Sequence, residues 1–268
     1  MKIIAGVAEK GGVGKTTTAL ALAQFAASRR LRTALLDIDD QGNATGSLVP
    51  IDDTLNHKNA YDLVSTPELD ESFAPMKVSE YLVLIPASNQ LMQLDREDFD
   101  LFFRLGERLR ALFENRLDLI VVDTPGHVGP RVTATLVACD AVYSPTELNQ
   151  YSMQSLMKVL ALIKKVRGRL NPGLDFLGLV LNRVGSISTE APYTPVEVSE
   201  RDIYEQLKSN ESVGPSKILG LIAQRQGIGL TLSSGKGLHE IPGSASGKRG
   251  VEELERFATT VLTKVGLL

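Results

Sequence analysis

Cysteine, long apolar runs and an excess of charge of either sign are all scarce in this chain. Its 268 residues include a single cysteine, Cys139, and their formal net charge is −3. One cysteine excludes a disulfide framework and a cysteine-rich metal or iron–sulfur site within one chain, so we expect Cys139 to fill the core. No apolar run approaches the roughly 18 residues that a membrane span needs, and no early segment has the pattern of a signal peptide. We therefore expect a cytoplasmic protein.

The balance of charge also limits the partners of the protein. With a pI near 5.7, the protein as a whole does not attract nucleic acid or anionic lipid electrostatically, so any DNA binding needs a local basic patch. The chain is long enough to bury a full core, and its apolar segments are evenly spread. This spread predicts one domain over residues 1–268.

Apolar runs alternate with helix-like stretches along the chain. The strand-like runs are Ile3–Ala8, Thr33–Asp37, Tyr81–Ile85, Leu117–Val122, Ala141–Ser144, Phe176–Leu181 and Ile218–Ile222. The helix-like stretches are Thr16–Arg30, Gln90–Phe113, Val132–Cys139, Gln150–Arg169, Ser199–Lys208 and, after a linker-like loop at Pro242–Gly250, Val251–Val265. This alternation predicts an α/β fold with a parallel, mostly doubly wound sheet flanked by helices.

A glycine-rich turn between the first strand and the first helix is the most informative motif. It spans Lys10–Thr17. Its glycines let the backbone approach an anion and direct N–H groups at it, and the following helix adds its positive dipole end. Lys15 can reach the β- and γ-phosphates of a nucleotide, while the Thr16 hydroxyl can ligate Mg²⁺. The predicted nucleotide-binding residues of this turn are Gly11, Gly12, Val13, Gly14, Lys15, Thr16 and Thr17.

The turn departs from the ordinary Walker A pattern at its start. Glu9 stands where that pattern has glycine, and Lys10 is an additional lysine. With these features the turn resembles the deviant Walker A, or signature-lysine, branch of P-loop ATPases. The resemblance implies that Lys10 reaches across a dimer to the partner's nucleotide, where it neutralises charge on the transferred phosphoryl group. Lys10 and Lys15 are therefore both predicted to be catalytic.

A second hydrophobic strand ends in a carboxylate. The run Leu117–Asp123 is followed by Thr-Pro-Gly. In open α/β sheets the ligand lies at the carboxyl ends of the strands, so Asp123 is predicted to hold Mg²⁺, most simply through a bound water. Residues Gly126–Pro130 would then form a mobile switch beside the γ-phosphate. The alternative is that Asp123 caps the next helix.

Acidic residues also close the strand Thr33–Asp37. Asp37, Asp39 and Asp40 lie within four positions, and a neighbouring cation would relieve their mutual repulsion. The run from Asp37 to Thr45 resembles the switch of the ParA family of partition ATPases. The resemblance implies that Asp39 helps to activate the attacking water and that Asp37 lies just behind the ligands of Mg²⁺. Asp40 stands where the family most often has proline, so we expect a looser loop and an added negative charge near the nucleotide.

The resemblance also suggests residues for the base of the nucleotide. Asn182 follows the strand Phe176–Leu181, and its amide can pair with an adenine edge. Gln224 and Arg225 lie where the family has residues that help to close the base pocket. The alternative for each of these residues is a solvated turn.

The resemblance runs through nearly the whole chain. It is closest to the compact, plasmid-type members that lack an N-terminal helix-turn-helix module, for which the early phosphate loop leaves no room. It implies a homodimer joined by ATP, nonspecific DNA binding on the nucleoid, and weak ATP hydrolysis stimulated by a centromere-bound ParB-like partner. Candidate DNA contacts are Arg225, Lys236, Lys248 and Arg249; a second basic cluster, Lys164, Lys165, Arg167 and Arg169, is also explained by its place at a helix end.

Two alternative functions stay open. A MinD-like ATPase would bind a membrane through a basic amphipathic C-terminal helix, whereas Val251–Val265 opens with acidic residues. A small-molecule ligase on the same scaffold would need a second substrate pocket, and no motif for one is evident. An iron-protein reductase is excluded because its bridging cluster takes two cysteines from each subunit.

Overall fold

One sheet organises the molecule. The computed structural model describes residues 1–66, 68–96, 100–211, 213–225 and 245–268. Their strands are β1 (Lys2–Gly6), β2 (Thr33–Asp37), β3 (Met76–Lys77), β4 (Leu82–Ile85), β5 (Leu119–Asp123), β6 (Ala141–Thr146), β7 (Asp175–Val184) and β8 (Ile218–Ala223). They form an eight-stranded sheet in the order β3-β4-β2-β5-β1-β6-β7-β8. Every neighbouring pair is parallel except β3 and β4.

Helices connect the strands. They are α1 (Lys15–Ser28), α2 (Asn43–Leu48), α3 (Ala60–Ser65), α4 (Leu101–Phe113), α5 (Pro130–Ala138), α6 (Gln150–Arg169), α7 (Val198–Ser209) and α8 (Ala245–Lys264). Short 3₁₀ helices cover Ile51–Thr54, Asn89–Arg96 and Pro215–Lys217. Among the described residues, none of these helices combines the length and the apolarity that a membrane crossing requires.

The sheet is buried on both faces. Successive side chains of a strand point to opposite faces, so Ile3 and Ala5 of β1 join one apolar cluster while Ile4 joins another. Helices α1 and α8 pack in the cluster that contains Ile4, and α4, α5 and α6 pack in the other. The prediction of a parallel, doubly wound sheet flanked by helices is therefore confirmed. The single-domain prediction for residues 1–268 stays a prediction.

Parallel strands bring their carboxyl ends to one edge of the sheet. Gly6 at the end of β1 and Asp37 at the end of β2 both lie in register with Asp123 at the end of β5. The loops after these three strands must therefore meet above the same edge. This edge carries the candidate site.

The region predicted as one helix over Gln90–Phe113 is divided. It contains the 3₁₀ helix Asn89–Arg96 and the separate helix α4, and residues 97–99 lie outside the described part of the chain. Leu91 and Leu94 are both buried, and their spacing of three matches the three residues per turn of a 3₁₀ helix. The prediction of one continuous helix is therefore wrong. The spacing of the apolar residues alone does not distinguish one long helix from two shorter ones.

Other boundaries also differ from the sequence predictions. Helix α8 begins at Ala245, so most of the predicted loop Pro242–Gly250 is helical, with Gly247 and Gly250 buried on it. Strand β7 continues past Leu181 to Val184 and therefore includes Asn182. The elements β3, α2 and α3 were not predicted, and each is only two to six residues long.

Candidate functional site

The glycine turn between β1 and α1 forms an open cradle. Gly12 and Gly14 have φ values of 77° and 100°, a region that favours glycine. A Cβ atom on Gly14 would lie 2.1 Å from Asn182 Nδ2, so the packing beneath the turn also requires glycine. Gly14 is the N-cap residue of α1. The free N–H groups of the first helical turn therefore face the space above the cradle, where they can bind an anion.

A cavity of about 440 Å³ lies above this cradle. Seven residues predicted from the sequence line it: Gly11, Gly12, Gly14, Lys15, Thr16, Thr17 and Asp39. Asp40, Gln41, Asn43, Gly126, His127 and Arg183 complete the lining. The structure thus brings the glycine turn, the loop after β2 and the loop after β5 together around one cavity.

Lys15 supplies a buried cation to this cavity. Its side chain is nearly inaccessible, and its Nζ lies 3.2 Å from the backbone oxygen of Lys10. Burial lowers the pKa of Lys15, while the nearby carboxylates Asp123 and Asp39 partly offset that effect. An ammonium group that has lost most of its water gains strongly from a bound anion.

Thr16 and Asp123 form a pair suited to a divalent cation. The Thr16 hydroxyl donates a 2.7 Å hydrogen bond to Asp123 Oδ2. Within the described residues, the other oxygen of Asp123 is buried without a hydrogen-bond partner. Burial and the neighbouring Asp37 raise the pKa of Asp123 well above its usual value. A hydroxyl and a carboxylate with a spare oxygen, beside a phosphate cradle, fit the oxygen ligands that Mg²⁺ prefers.

Asp37 lies behind this pair and holds the loop after β2. Its Oδ2 accepts hydrogen bonds from both the backbone N–H and the hydroxyl of Thr45, each at 2.8 Å. Its Oδ1 accepts a bond from the backbone N–H of Asp39 at 3.2 Å. Complete burial raises the pKa of Asp37 to about 6, although these hydrogen bonds act to lower it. The contacts agree with a place behind the metal ligands, which stays a prediction.

Asp39 and Asp40 occupy the rim of the cavity. Asp39 Oδ1 accepts a 3.1 Å hydrogen bond from the backbone N–H of Gln41, which shapes the turn locally. Asp40 Oδ1 lies 2.8 Å from Nη1 of the buried Arg131. The structure therefore differs from the expectation of a loop loosened by Asp40, because this ion pair restrains the residue. The catalytic role of Asp39 stays a prediction.

Lys10 is held by a carboxylate of its own chain. Its Nζ lies 3.1 Å from Glu147 Oε2, and Arg183 Nη1 lies 3.3 Å from Glu147 Oε1. Although partial burial would raise the pKa of Glu147, its contacts with Lys10, Asn149 and Arg183 lower it. The Lys10 side chain is 43% exposed, so it is accessible from outside the chain. To reach a partner's nucleotide, as predicted, Lys10 would have to break its contact with Glu147.

The residues predicted for the base are dispersed. Asn182 is buried and donates a 2.8 Å hydrogen bond to the Val13 carbonyl, so its amide supports the glycine turn from below. Arg225 lies 2.5 Å from the buried Glu253 and lines a separate cavity of about 100 Å³. Gln224 is exposed beyond the end of β8. Contacts of Asn182, Gln224 and Arg225 with adenine stay predictions.

The two basic clusters lie at opposite edges of the sheet. Lys248 and Arg249 are exposed on the first turns of α8, and Arg225 Nη1 is 3.3 Å from Ser246 Oγ on the same turns. These residues therefore lie at the carboxyl edge, which also carries the cradle. The second cluster ends α6, just before β7 begins, and is exposed at the other edge; it consists of Lys164, Lys165, Arg167 and Arg169. Lys236 lies outside the described residues.

Two residues of the site were missed by sequence reasoning. Arg183 lines the cavity and has the left-handed φ of 56°, which is uncommon for a residue with a side chain. His127, which also lines the cavity, lies within the predicted switch Gly126–Pro130. Arg131 contacts the cavity rim through Asp40. Only Arg183 had a local signal, since it adjoins Asn182 at a strand end on the expected edge.

Comparison with known protein families identifies relatives over most of the chain. The sequence model of a family described as an AAA domain matches residues 1–176. The chain is 30% identical over 269 residues to Protein IncC of Escherichia coli, covering 99% of this chain and 70% of that protein. It is 34% identical over 194 residues to the chromosome partitioning protein ParA of Myxococcus xanthus, covering 71% of this chain and 68% of that protein.

Solved structures share the fold. A Borrelia burgdorferi B31 protein assigned to plasmid partition, bound to AMPPNP, superposes with a TM-score of 0.78 at 23% identity, over 98% of this chain and 99% of the other. Cobyrinic acid a,c-diamide synthase of Mycobacterium smegmatis, with bound ADP and magnesium, gives a TM-score of 0.75 at 22% identity, over 99% and 95%. At these identities the likeness establishes the fold alone.

Proposed function

Because the chain belongs to the ParA family of partition ATPases, we propose that it is an ATP-driven switch for DNA partition. In its ATP state two copies form a sandwich dimer that binds DNA without sequence preference, and hydrolysis releases it. The observation that carries this proposal is the single cavity that joins the glycine turn, Lys15, Thr16 and Asp39. A centromere-bound, ParB-like partner stimulates hydrolysis, and the protein works in the cytoplasm on the nucleoid.

The residues around the cavity would hold ATP and Mg²⁺ in distinct ways. The N–H groups of the turn and the Lys15 ammonium would bind the phosphates. Thr16 and Asp123 would hold Mg²⁺, which supplies charge neutralisation between the phosphates when it is bound. Asp37 would keep the loop after β2 in place through its bonds to Thr45. The described residues thus provide donors for the anion and oxygen ligands for the cation.

Hydrolysis would depend on two further side chains. Asp39 lies at the rim of the cavity, where its carboxylate can orient an attacking water. Lys10 is partly exposed at the start of the glycine turn, and from there it would reach the nucleotide of a facing copy. The Lys10 ammonium would stabilise charge on the transferred phosphoryl group only when two copies face each other. ATP turnover by the isolated monomer should therefore be weak.

The packing of the C-terminal helix favours DNA over a membrane as the surface that is bound. Leu254, Phe257 and Val261 of α8 are buried in the core, so the apolar face of this helix is already covered. Its exposed first turns present Lys248 and Arg249 at the edge that carries the cradle. Basic residues on that edge would face DNA in the ATP dimer, and each phosphate contact adds salt-sensitive affinity.

Fluorescence anisotropy of a labelled duplex of arbitrary sequence tests the proposal. We expect retention with ATP, little with ADP or without nucleotide, and a steep loss of affinity with salt. The Lys248→Ala, Arg249→Ala double variant should reduce the slope of log K against log[salt] by up to about 2. The control is the Lys164→Ala, Lys165→Ala double variant at the opposite edge, which should leave the slope unchanged.

The opposite results have clear meanings. Equal DNA affinity with ATP and ADP would contradict a nucleotide switch. Pelleting with anionic liposomes in ATP, without any DNA retention, would instead support the membrane-binding alternative.

A further inference from the structure

Arg131 is a buried cation between two carboxylates. Its side chain is only 1% exposed, at the start of α5. Nη1 lies 2.8 Å from Asp40 Oδ1, while Nε and Nη2 donate to the two oxygens of Asp95 at 3.0 and 2.7 Å. Nη1 also donates to the Ile38 carbonyl at 3.2 Å. All three nitrogens of the guanidinium therefore have oxygen partners.

A buried guanidinium needs such a set of partners. Removing a charge from water is costly, and a fork-like pair with a carboxylate recovers the cost only when the geometry is good. The Asp95 pair has this two-bond geometry, whereas Asp40 makes a single contact. Burial would raise the pKa values of Asp40 and Asp95, but hydrogen bonds from Arg131 lower both. Asp95 thus anchors the cation, and the cation in turn restrains Asp40.

Of the three residues, Asp40 lines the cavity and the other two lie behind its lining. Asp40 directly follows Asp39 and lines the cavity itself. Arg131 lies in the first turn of the helix that follows the loop with Gly126 and His127, which also line the cavity. Asp95 lies on the 3₁₀ helix Asn89–Arg96, outside the cavity. One buried ion-pair network therefore fixes the loop after β2 relative to the loop after β5.

We infer that Arg131 is a positioning residue for hydrolysis. It holds Asp40 and thereby keeps the neighbouring Asp39 in place. This inference rests on the proposed function of the cavity and on the role of Asp39 in it. Losing a restraint beside the reacting atoms should change kcat more than it changes the affinity for ATP, because a small misplacement of a catalytic group can cost a large factor in rate. The ion pair also offsets part of the charge of Asp40, so this carboxylate repels the phosphates less than an unpaired one would.

The isosteric variant Asp40→Asn tests the inference. Its matched control is Asp118→Asn, which weakens the ion pair of Asp118 with Arg32 just before β5, at the end of that strand away from the cavity. Asp40→Asn should lower kcat by about tenfold or more and change the Kd for ATP by less than about threefold. Asp118→Asn should keep kcat within about twofold. Arg131→Lys, which keeps the charge but not the fork, should have a kcat between those of the parent and Asp40→Asn.

The outcomes separate this inference from the proposed function. Loss of stability with unchanged kcat in Asp40→Asn would overturn the positioning role and leave a purely structural ion pair. Equal loss of kcat in Asp40→Asn and Asp118→Asn would also overturn it, because the loss would then not depend on the contact with Arg131. If Asp39→Asn turned over at the parent rate, the catalytic assignment of Asp39 would fail first, whatever the Asp40 variant did.

Discussion

The substitution Gly14→Ala should be among the most damaging single-methyl changes in the protein. Gly14 has φ 100°, and a Cβ there would lie 2.1 Å from Asn182 Nδ2 and 3.1 Å from its Cγ. Asn182 is itself buried and hydrogen-bonded to the Val13 carbonyl, so it cannot move without leaving that bond. The added methyl group therefore meets both a backbone and a packing restriction.

The expected cost follows from two contributions. A left-handed backbone costs a residue with a side chain about 1–2 kcal/mol. Displacing Asn182 leaves a buried amide or carbonyl unpaired, which costs about 1–3 kcal/mol. We expect Gly14→Ala to lower the free energy of unfolding by about 2–5 kcal/mol, a large part of the ~5–15 kcal/mol typical of a domain.

Equilibrium urea unfolding without nucleotide measures this loss. Far-UV circular dichroism is a suitable signal because the chain has no tryptophan. The matched control is Gly11→Ala in the same turn, where a Cβ meets nothing within 4 Å, so its free energy of unfolding should change by less than about 0.5 kcal/mol. Adding Asn182→Ala to Gly14→Ala should recover part of the loss by removing the obstructing amide. Equal stability of the Gly14→Ala and Gly11→Ala variants would refute this reasoning.

Three further predictions concern the charged residues of the site. Lys15→Ala should abolish ATP binding in isothermal titration calorimetry, because the variant loses the buried cation; binding at the parent affinity would contradict the phosphate assignment. Asp39→Ala should stay on DNA in the presence of ATP, and phosphate release at the parent rate would refute its catalytic role. Glu147→Gln should lower the free energy of unfolding by less than about 1 kcal/mol, because Lys10 and Arg183 are about half exposed. The folded-state pKa of Glu147 is depressed, so its contribution is present above the unfolded value of about 4.5 and is lost as the pH falls through the lower folded value. A difference between Glu147→Gln and the parent that persists undiminished at pH 3 would contradict that sign.

The phosphate cradle and the sheet could be predicted from sequence because their signals are local. The turn Lys10–Thr17 places its glycines, lysine and threonine within eight positions, directly after an apolar run. Asp123 ends a continuous hydrophobic strand, and parallel pairing then brings it beside Asp37 without further information. Such features depend on neighbouring residues and on the general geometry of parallel sheets.

The rest depends on contacts between distant parts of the chain. Asp40, Asp95 and Arg131 are separated by tens of residues, and their pairing depends on how α5 packs against the sheet. Asn182 carries an amide suited to a ligand, but tertiary packing directs that amide to the Val13 carbonyl. The division of Gln90–Phe113 is a similar case, since its apolar residues fit both a continuous helix and two shorter ones.

The mass of the protein in solution tests the central claim most directly. Light scattering on the Asp39→Ala variant should show a doubled mass with ATP and Mg²⁺, and the monomer mass with ADP. Adding Lys10→Ala to that variant should restore the monomer mass with ATP while nucleotide still binds. A monomer under all these conditions, or a dimer that forms equally well without Lys10, would contradict a switch built on a lysine shared between two copies.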